Sequence, residues 1–278
     1  MTILEVALAQ KSGGHLAEHS LSLSIRQTIA LAKRSTLELF RQPALVVPSI
    51  MFPLFFAMLG NSSFGRTTSL PGFPKVDSYL QFQLAGTITQ GVLFGSVTGA
   101  AALATDIENG FFDRLLAAPT SRTGILFGRL AGSTLFGALQ TAVFIFVLMP
   151  FGASVAAGIP GVLAMIVSGA LVSLAVGALM SSVALKTGSA EAVQGMFPLL
   201  FILLFFSSAF FPRETMSGAY QTIAGLNPMS YLVEGLRALS LDGFTASATA
   251  RAVLVPLAIA IVSLGVANSQ LRSRLKKH

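Results

Sequence analysis

One stretch of the sequence concentrates the side chains with chemistry to offer. Asp106, Glu108, Asp113, Arg114 and Arg122 surround Phe111, Phe112, Leu115 and Leu116. Helical spacing puts Phe111, Leu115 and Ala118 on one face with Phe112 and Leu116 beside it, and Pro119 stops the run. A short helix over 107–118 is therefore predicted. Aromatic and leucine side chains inside a charged rim suit binding rather than bond-making. Two readings stand side by side. The helix docks a soluble partner and passes force into its neighbours, or it is a connector packed on its own bundle.

Elsewhere the chemistry is thin. The chain has no Cys, and its three histidines, His15, His19 and His278, lie near the termini. That removes disulfides, thiolate metal sites and a histidine general base in the interior. Lys186-Thr187-Gly188 lacks the preceding glycines of a phosphate loop. No catalytic residue, cofactor site or metal site is expected. The polar groups inside long apolar runs are Thr87, Thr89, Gln90, Thr98, Gln140, Thr141 and Ser168. Thr87, Gln90, Thr98 and Gln140 suit a weakly polar path, and equally suit hydrogen bonds between helices.

The runs themselves follow from composition. Of 278 residues, 53% are hydrophobic and only 10% charged. The mean hydropathy is +0.76. A soluble chain carries about 25% charge, which disfavours a soluble enzyme. Residues 42–65, 78–105, 130–185, 192–212 and 252–271 contain no charged residue. A bilayer core takes about 20 apolar residues per helix. The 130–185 gap holds two spans, divided by Pro150-Phe151-Gly152 and Gly158-Ile159-Pro160-Gly161. Six spans result, at about 44–61, 82–105, 125–149, 160–185, 194–211 and 252–270. Pro256 marks the sixth as the weakest. Runs such as PLLFILLFFSSAFF do not alternate as barrel strands do.

The remaining segments are read around those spans. Residues 1–20 form a flexible tail. Residues 21–41 form a basic amphipathic helix at the membrane interface, with Ile25, Ile29, Ala32, Leu37 and Phe40 against Arg26, Lys33, Arg34 and Arg41. Gln42-Pro43 breaks it before the membrane domain, 42–271, and 272–278 is a basic tail. An N-terminus in the cytoplasm puts 13 basic residues inside and 5 outside. Both termini are therefore expected in the cytoplasm, and the basic balance serves membrane anchoring rather than nucleic acid. Arg129, a turn into the third span, is expected to snorkel. Glycines four apart in spans two to four suit close helix packing, within the chain or between chains. After span five, Pro212 ends the apolar run and Asn227-Pro228 separates two helices, about 215–225 and 229–240. Neither is long enough to cross. Glu234 and Arg237, three apart, are expected to pair.

Three stretches resemble the membrane subunits of ABC-2-type exporters, nearest the daunorubicin-resistance-like permeases. They are Glu108 to Leu116 with Ala118-Pro119-Thr120-Ser121-Arg122, then Phe210-Phe211-Pro212-Arg213-Glu214-Thr215-Met216, then Asn227-Pro228-Met229-Ser230-Tyr231-Leu232-Val233-Glu234-Gly235-Leu236-Arg237. The chain departs at Met216-Ser217, where relatives often have Met-Pro, and at Gly110-Phe111, where a Thr often follows the Gly. The resemblance implies an all-α membrane fold of six helices with an interfacial elbow helix at 21–41. It implies a coupling helix, with Asp106, Glu108, Phe111, Phe112, Asp113, Arg114, Leu115 and Leu116, docking on a separate ABC ATPase. It implies an outer re-entrant hairpin holding Pro212, Arg213, Glu214, Asn227, Pro228, Tyr231, Glu234 and Arg237. Two permease chains, identical or homologous, would work with two ATPase copies, which bind ATP and Mg. The cargo would be an amphipathic drug or lipid leaving the cytoplasm or inner leaflet of the plasma membrane. A lipid-linked glycan is the alternative cargo, and a gradient-driven secondary transporter the alternative class.

Overall fold

A computed structural model describes residues 26–38, 41–69, 73–117 and 122–276, and it is all-helical there. The tail 1–20, Ile25, Phe40, the stop at Pro119 and the last two basic-tail residues lie outside the described residues. Helix α1 covers 26–38. Five long helices follow with short ones between them: α2 (Pro43–Phe64), α3 (Tyr79–Glu108), α4 (Phe111–Ala117), α5 (Arg122–Leu148), α6 (Gly158–Thr187), α7 (Ala190–Gln194), α8 (Phe197–Phe205), α9 (Gly218–Leu226), α10 (Pro228–Leu241) and α11 (Ala246–Leu275). Among the described residues, five regions are long and apolar enough to cross a bilayer, those of α2, α3, α5, α6 and α11.

Helix α3 is the central post, buried continuously from Tyr79 to Val97. The side chain of Ser78 caps its start by accepting from the Gln81 amide at 3.2 Å. Small residues let its neighbours in. A Cβ on Gly91 would overlap the Phe144 ring of α5, and one on Gly169 of α6 would overlap the Thr141 hydroxyl. Gly128 and Gly132 of α5 form a notch for α1, where Ser35 donates to the Gly128 carbonyl at 2.9 Å. The glycine stripes thus serve packing within the chain. Helix α1 buries Ser35 and leaves Ile29 and Leu37 exposed.

The weak span is not the sixth. Helix α11 runs unbroken through Pro256. Proline frees the carbonyl four residues back, here that of Ala252, and the Ser168 hydroxyl of α6 donates to it at 2.6 Å. Pro53 in α2 frees the Ser49 carbonyl in the same way, and Gln140 of α5 donates there at 3.3 Å. The broken span is the fifth. Its helix over Ala190–Phe205 is interrupted at Gly195-Met196 and gives way to turns after Phe205, short of the predicted 211.

That segment still covers the height of the bundle. At one end the Ala190 amide donates to Glu108 at 2.8 Å. At the other, a Cβ on Gly86 would come 2.6 Å from the Ala209 carbonyl. Between Gly86 and Glu108, α3 rises roughly 33 Å, against about 30 Å of bilayer hydrocarbon.

Candidate functional site: the charged end of the bundle

Five segments far apart in sequence meet at one end. They are α1, the end of α3 with α4, the start of α5, the α6–α7 turn and the end of α11. The local sequence explains the geometry of α4. Asp106, Ile107 and Glu108 continue α3 instead of joining the loop helix, because the break falls at Asn109-Gly110. Gly110 has φ +69°, a left-handed turn that glycine takes without strain. Helix α4 then starts at Phe111, not at 107.

A cluster of four charges lies beneath α4. Arg129 donates from Nη1 to Glu38 at 2.7 Å, from Nη2 to the Ala102 carbonyl at 3.1 Å, and pairs closely with Asp106. Arg34 donates to both oxygens of Asp106, at 3.1 and 3.4 Å. Arg34 and Glu38 are also four apart on α1, with their charges at 3.8 Å. Arg129 therefore does not snorkel. Its side chain is 6% exposed, and a guanidinium so buried requires acidic partners. The cluster ties α1, α3 and α5 into one unit. Arg34 also stacks on the Phe111 ring, 4.1 Å from its centroid, which adds α4.

The residues of α4 divide by role. Phe112 is 2% exposed and belongs to the chain's own core. Phe111 is half-buried, Leu115 and Leu116 lean on the core, and Arg114 is exposed. Asp113 faces Arg274 of α11 at 3.6 Å. Glu108 is exposed and accepts from the Ala190 amide at 2.8 Å. Asp106 is consumed by the cluster. The outward surface of α4 is thus Arg114 and Ala117 with the open parts of Phe111, Asp113, Leu115 and Leu116. Reading 107–118 as one helix missed this division.

At the opposite end, α9 and α10 seal the broken fifth segment. Asn227 donates to the carbonyls of Leu203 at 2.7 Å and Phe206 at 2.8 Å, while its side-chain oxygen accepts from the Met229 amide at 2.9 Å. Tyr220 takes the Phe205 carbonyl. Arg237 is buried, donates to the carbonyls of Ser208 at 2.7 Å and Ala209 at 3.1 Å, and stacks on Phe82 at 3.8 Å. Each freed carbonyl needs a donor where water is scarce. The predicted Glu234–Arg237 pair does not form. Glu234 pairs with Arg213 at 2.5 Å, because Arg237 turns inward to those carbonyls. Arg213 also lies over Tyr231, whose hydroxyl donates to the Gly225 carbonyl at 2.8 Å. Pro212 is buried, and Pro228 opens α10 as its first residue. Glu214 is exposed.

The four proposed path residues do not gather. Thr98 lines an apolar groove of about 730 Å³ between α2, α3 and α8, with Ser49, Phe52, Phe94, Phe197 and Phe201. Gln140 reaches that groove only through Ser49, whose hydroxyl accepts its amide at 3.0 Å. Thr87 donates to the Gln83 carbonyl one turn back at 3.1 Å, and Gln90 is buried in α3 with no partner for its amide nitrogen. Among the described residues, no three His, Cys, Asp or Glu side chains converge on a metal-sized site.

Apolar helices long enough to cross a bilayer and a charge-clamped short helix at one end define a multi-pass membrane protein. The ABC-2 type transporter family matches residues 26–241, and the chain belongs to that family. It is 31% identical over 200 residues to the daunorubicin resistance ABC transporter permease protein DrrB1 of Streptomyces coeruleorubidus, covering 71% of this chain and 69% of that one. It is 30% identical over 221 residues to the putative transport permease ycf38 of Cyanophora paradoxa, covering 77% and 74%. It is 23% identical over 231 residues to the probable doxorubicin resistance ABC transporter permease protein DrrC of Mycobacterium tuberculosis, covering 82% and 81%. The protein is a multi-pass, non-catalytic permease subunit, and family membership implies an ATPase partner.

Proposed function

We propose that the chain is the permease of an ATP-driven exporter, with α1 as the elbow helix, α4 as the coupling helix and α9–α10 as the outer re-entrant hairpin. The observation that carries this reading is the charge-linked contact of α1, α3, α4, α5 and α11 at one end. Among the described residues, the basic side chains Arg34, Arg129 and Arg274 meet there, which supports reading this as the cytoplasmic end. A docked ATPase would push on α4. The ion pairs would pass the displacement to α1, α3 and α5, and so to the fifth segment through Glu108. Two permease chains would work with two ATPase chains.

The cargo is an amphipathic drug-like molecule or a lipid. The groove between α2, α3 and α8 supports this, because five phenylalanines line it beside only a few polar groups. A flexible amphipath gains from such a surface roughly in proportion to the apolar area it buries. The drug-resistance names of two relatives point the same way.

The test is co-purification of the permease with an ATPase subunit, followed by ATP hydrolysis in nanodiscs with daunorubicin, phospholipid or a lipid-linked oligosaccharide added. Stimulation by either of the first two is expected. Stimulation by the glycan alone would overturn the cargo assignment, and failure to bind any ATPase would overturn the whole reading.

A further inference from the structure

Helix α4 is held from both ends of the chain. On one side stands Arg34 of α1, over Phe111 and bonded to Asp106. On the other stands Arg274, in the last turn of α11. It faces Asp113 at 3.6 Å and donates from Nη1 to the Leu185 carbonyl, at the end of α6, at 3.4 Å. A cation there also meets the negative end of the α6 dipole. The left-handed Gly188 turn packs beside it, such that an added Cβ would lie 3.6 Å from Nη1. An arginine at the end of a span ordinarily extends toward water and headgroups. Arg272 is exposed in that way. Arg274 turns inward onto protein, and its side chain is 17% exposed. Anchoring the helix end does not require that.

We propose that Arg274 is a positioning residue for α4. Through Asp113 it ties the last span to the docking helix, opposite Arg34, so that a displacement of α4 reaches α11 and α6 as well as α3 and α5. This rests on the reading of α4 as the ATPase-docking helix. Asp113 is 44% exposed as a whole, while the Oδ1 that faces Arg274 is buried and takes no hydrogen bond, so the contact is a charge pairing at 3.6 Å rather than a bonded clamp. Removing it leaves the fold standing and changes where α4 sits.

The absence of native cysteine allows a direct measurement on the full chain. Spin labels at Ala117→Cys and Ser273→Cys report the distance between α4 and α11 in nanodiscs. The same variants are then titrated with the co-purifying ATPase, following both its affinity and permease-stimulated ATP hydrolysis. Arg274→Ala should broaden the distance distribution. Stimulated hydrolysis should fall about fivefold, within the range of ordinary couplings between sites, with the affinity nearly unchanged. The charge exchange Asp113→Arg with Arg274→Asp should narrow the distribution again and restore most of the stimulation. Arg272→Ala, which removes an exposed charge from the same helix end, should do neither. An unchanged distribution in Arg274→Ala would overturn the proposal, as would a broadened one with full stimulation. Failure of the docking reading shows separately, as Phe111→Ala leaving ATPase affinity untouched.

Discussion

Arg129 and Phe112 carry the most weight among single residues, and both act by being buried. Replacing Arg129 with Gln leaves Asp106 and Glu38 only Arg34, the more exposed of the two cations they share. Breaking a buried ion pair from one side costs about 3–5 kcal/mol when the remaining charge has no other partner. With Arg34 still on both acids, Arg129→Gln should lower the unfolding free energy in detergent by less than that, and Arg129→Lys by less again. A variant as stable as the parent would show that the cluster is solvated. Phe112→Ala removes a core ring, and large-to-small core changes of this kind cost about 3–5 kcal/mol. The folded fraction should still bind the ATPase normally. Phe111→Ala should show the reverse, near-parental stability with weakened binding, since an aromatic at an interface centre is worth about 2 kcal/mol or more. Equal affinity for parent and Phe111→Ala would remove the docking role. The cluster was only partly legible in the sequence. Arg129 stood out as a charge near a span, and Asp106 as a loop acid. Nothing in their 23-residue separation announces that the end of α3 and the start of α5 lie side by side.

At the scale of elements, prolines and their donors decide which helices continue. Pro256 was visible and pointed to a weak sixth span. The Ser168 hydroxyl that serves the freed Ala252 carbonyl sits 84 residues away and cannot be read from a local window. Ser168→Ala should cost about 1–2 kcal/mol, the penalty of an unsatisfied buried acceptor. In a Pro256→Ala background, the restored amide should take that carbonyl and most of the cost should vanish. Additive losses would refute the link. The fifth segment shows the opposite case. Its composition is the most apolar of all, yet its helix ends at Phe205, because Asn227, Tyr220 and Arg237 supply the donors that let it stop. The break at Asn227-Pro228 was legible, since an Asn cap before a proline at the first helical position opens a helix whatever surrounds it. The partners of Asn227 and Arg237 were not, because they depend on which carbonyls the neighbouring segment leaves free.

The whole molecule is set by the contacts of its two ends. Arg34 and Arg274 touch the same seven-residue helix, α4, so the chain must cross an even number of times between them. The five long apolar helices among the described residues give an odd count, and counting the broken fifth segment as a crossing would make it even. Charge-free gaps pointed to six because a bilayer excludes charge wherever the chain crosses, in helix or in turn. They could not reveal that one crossing is discontinuous. If the segment after Ala209 re-enters and returns, single cysteines at Arg213 and Asp242 should both react from the outer face and neither from the inner. Reaction of one only from the inner face would mean that α9–α10 crosses, and the even count would fail.

The most direct measurement combines sidedness with docking at one position. A single Ala117→Cys variant, at the exposed end of α4, is treated with an impermeant thiol reagent in right-side-out vesicles, in inside-out vesicles, and in inside-out vesicles preloaded with the ATPase. An exporter permease coupled through α4 gives no labelling in the first, rapid labelling in the second and protection in the third. Labelling in right-side-out vesicles, or no protection by the ATPase, would contradict it.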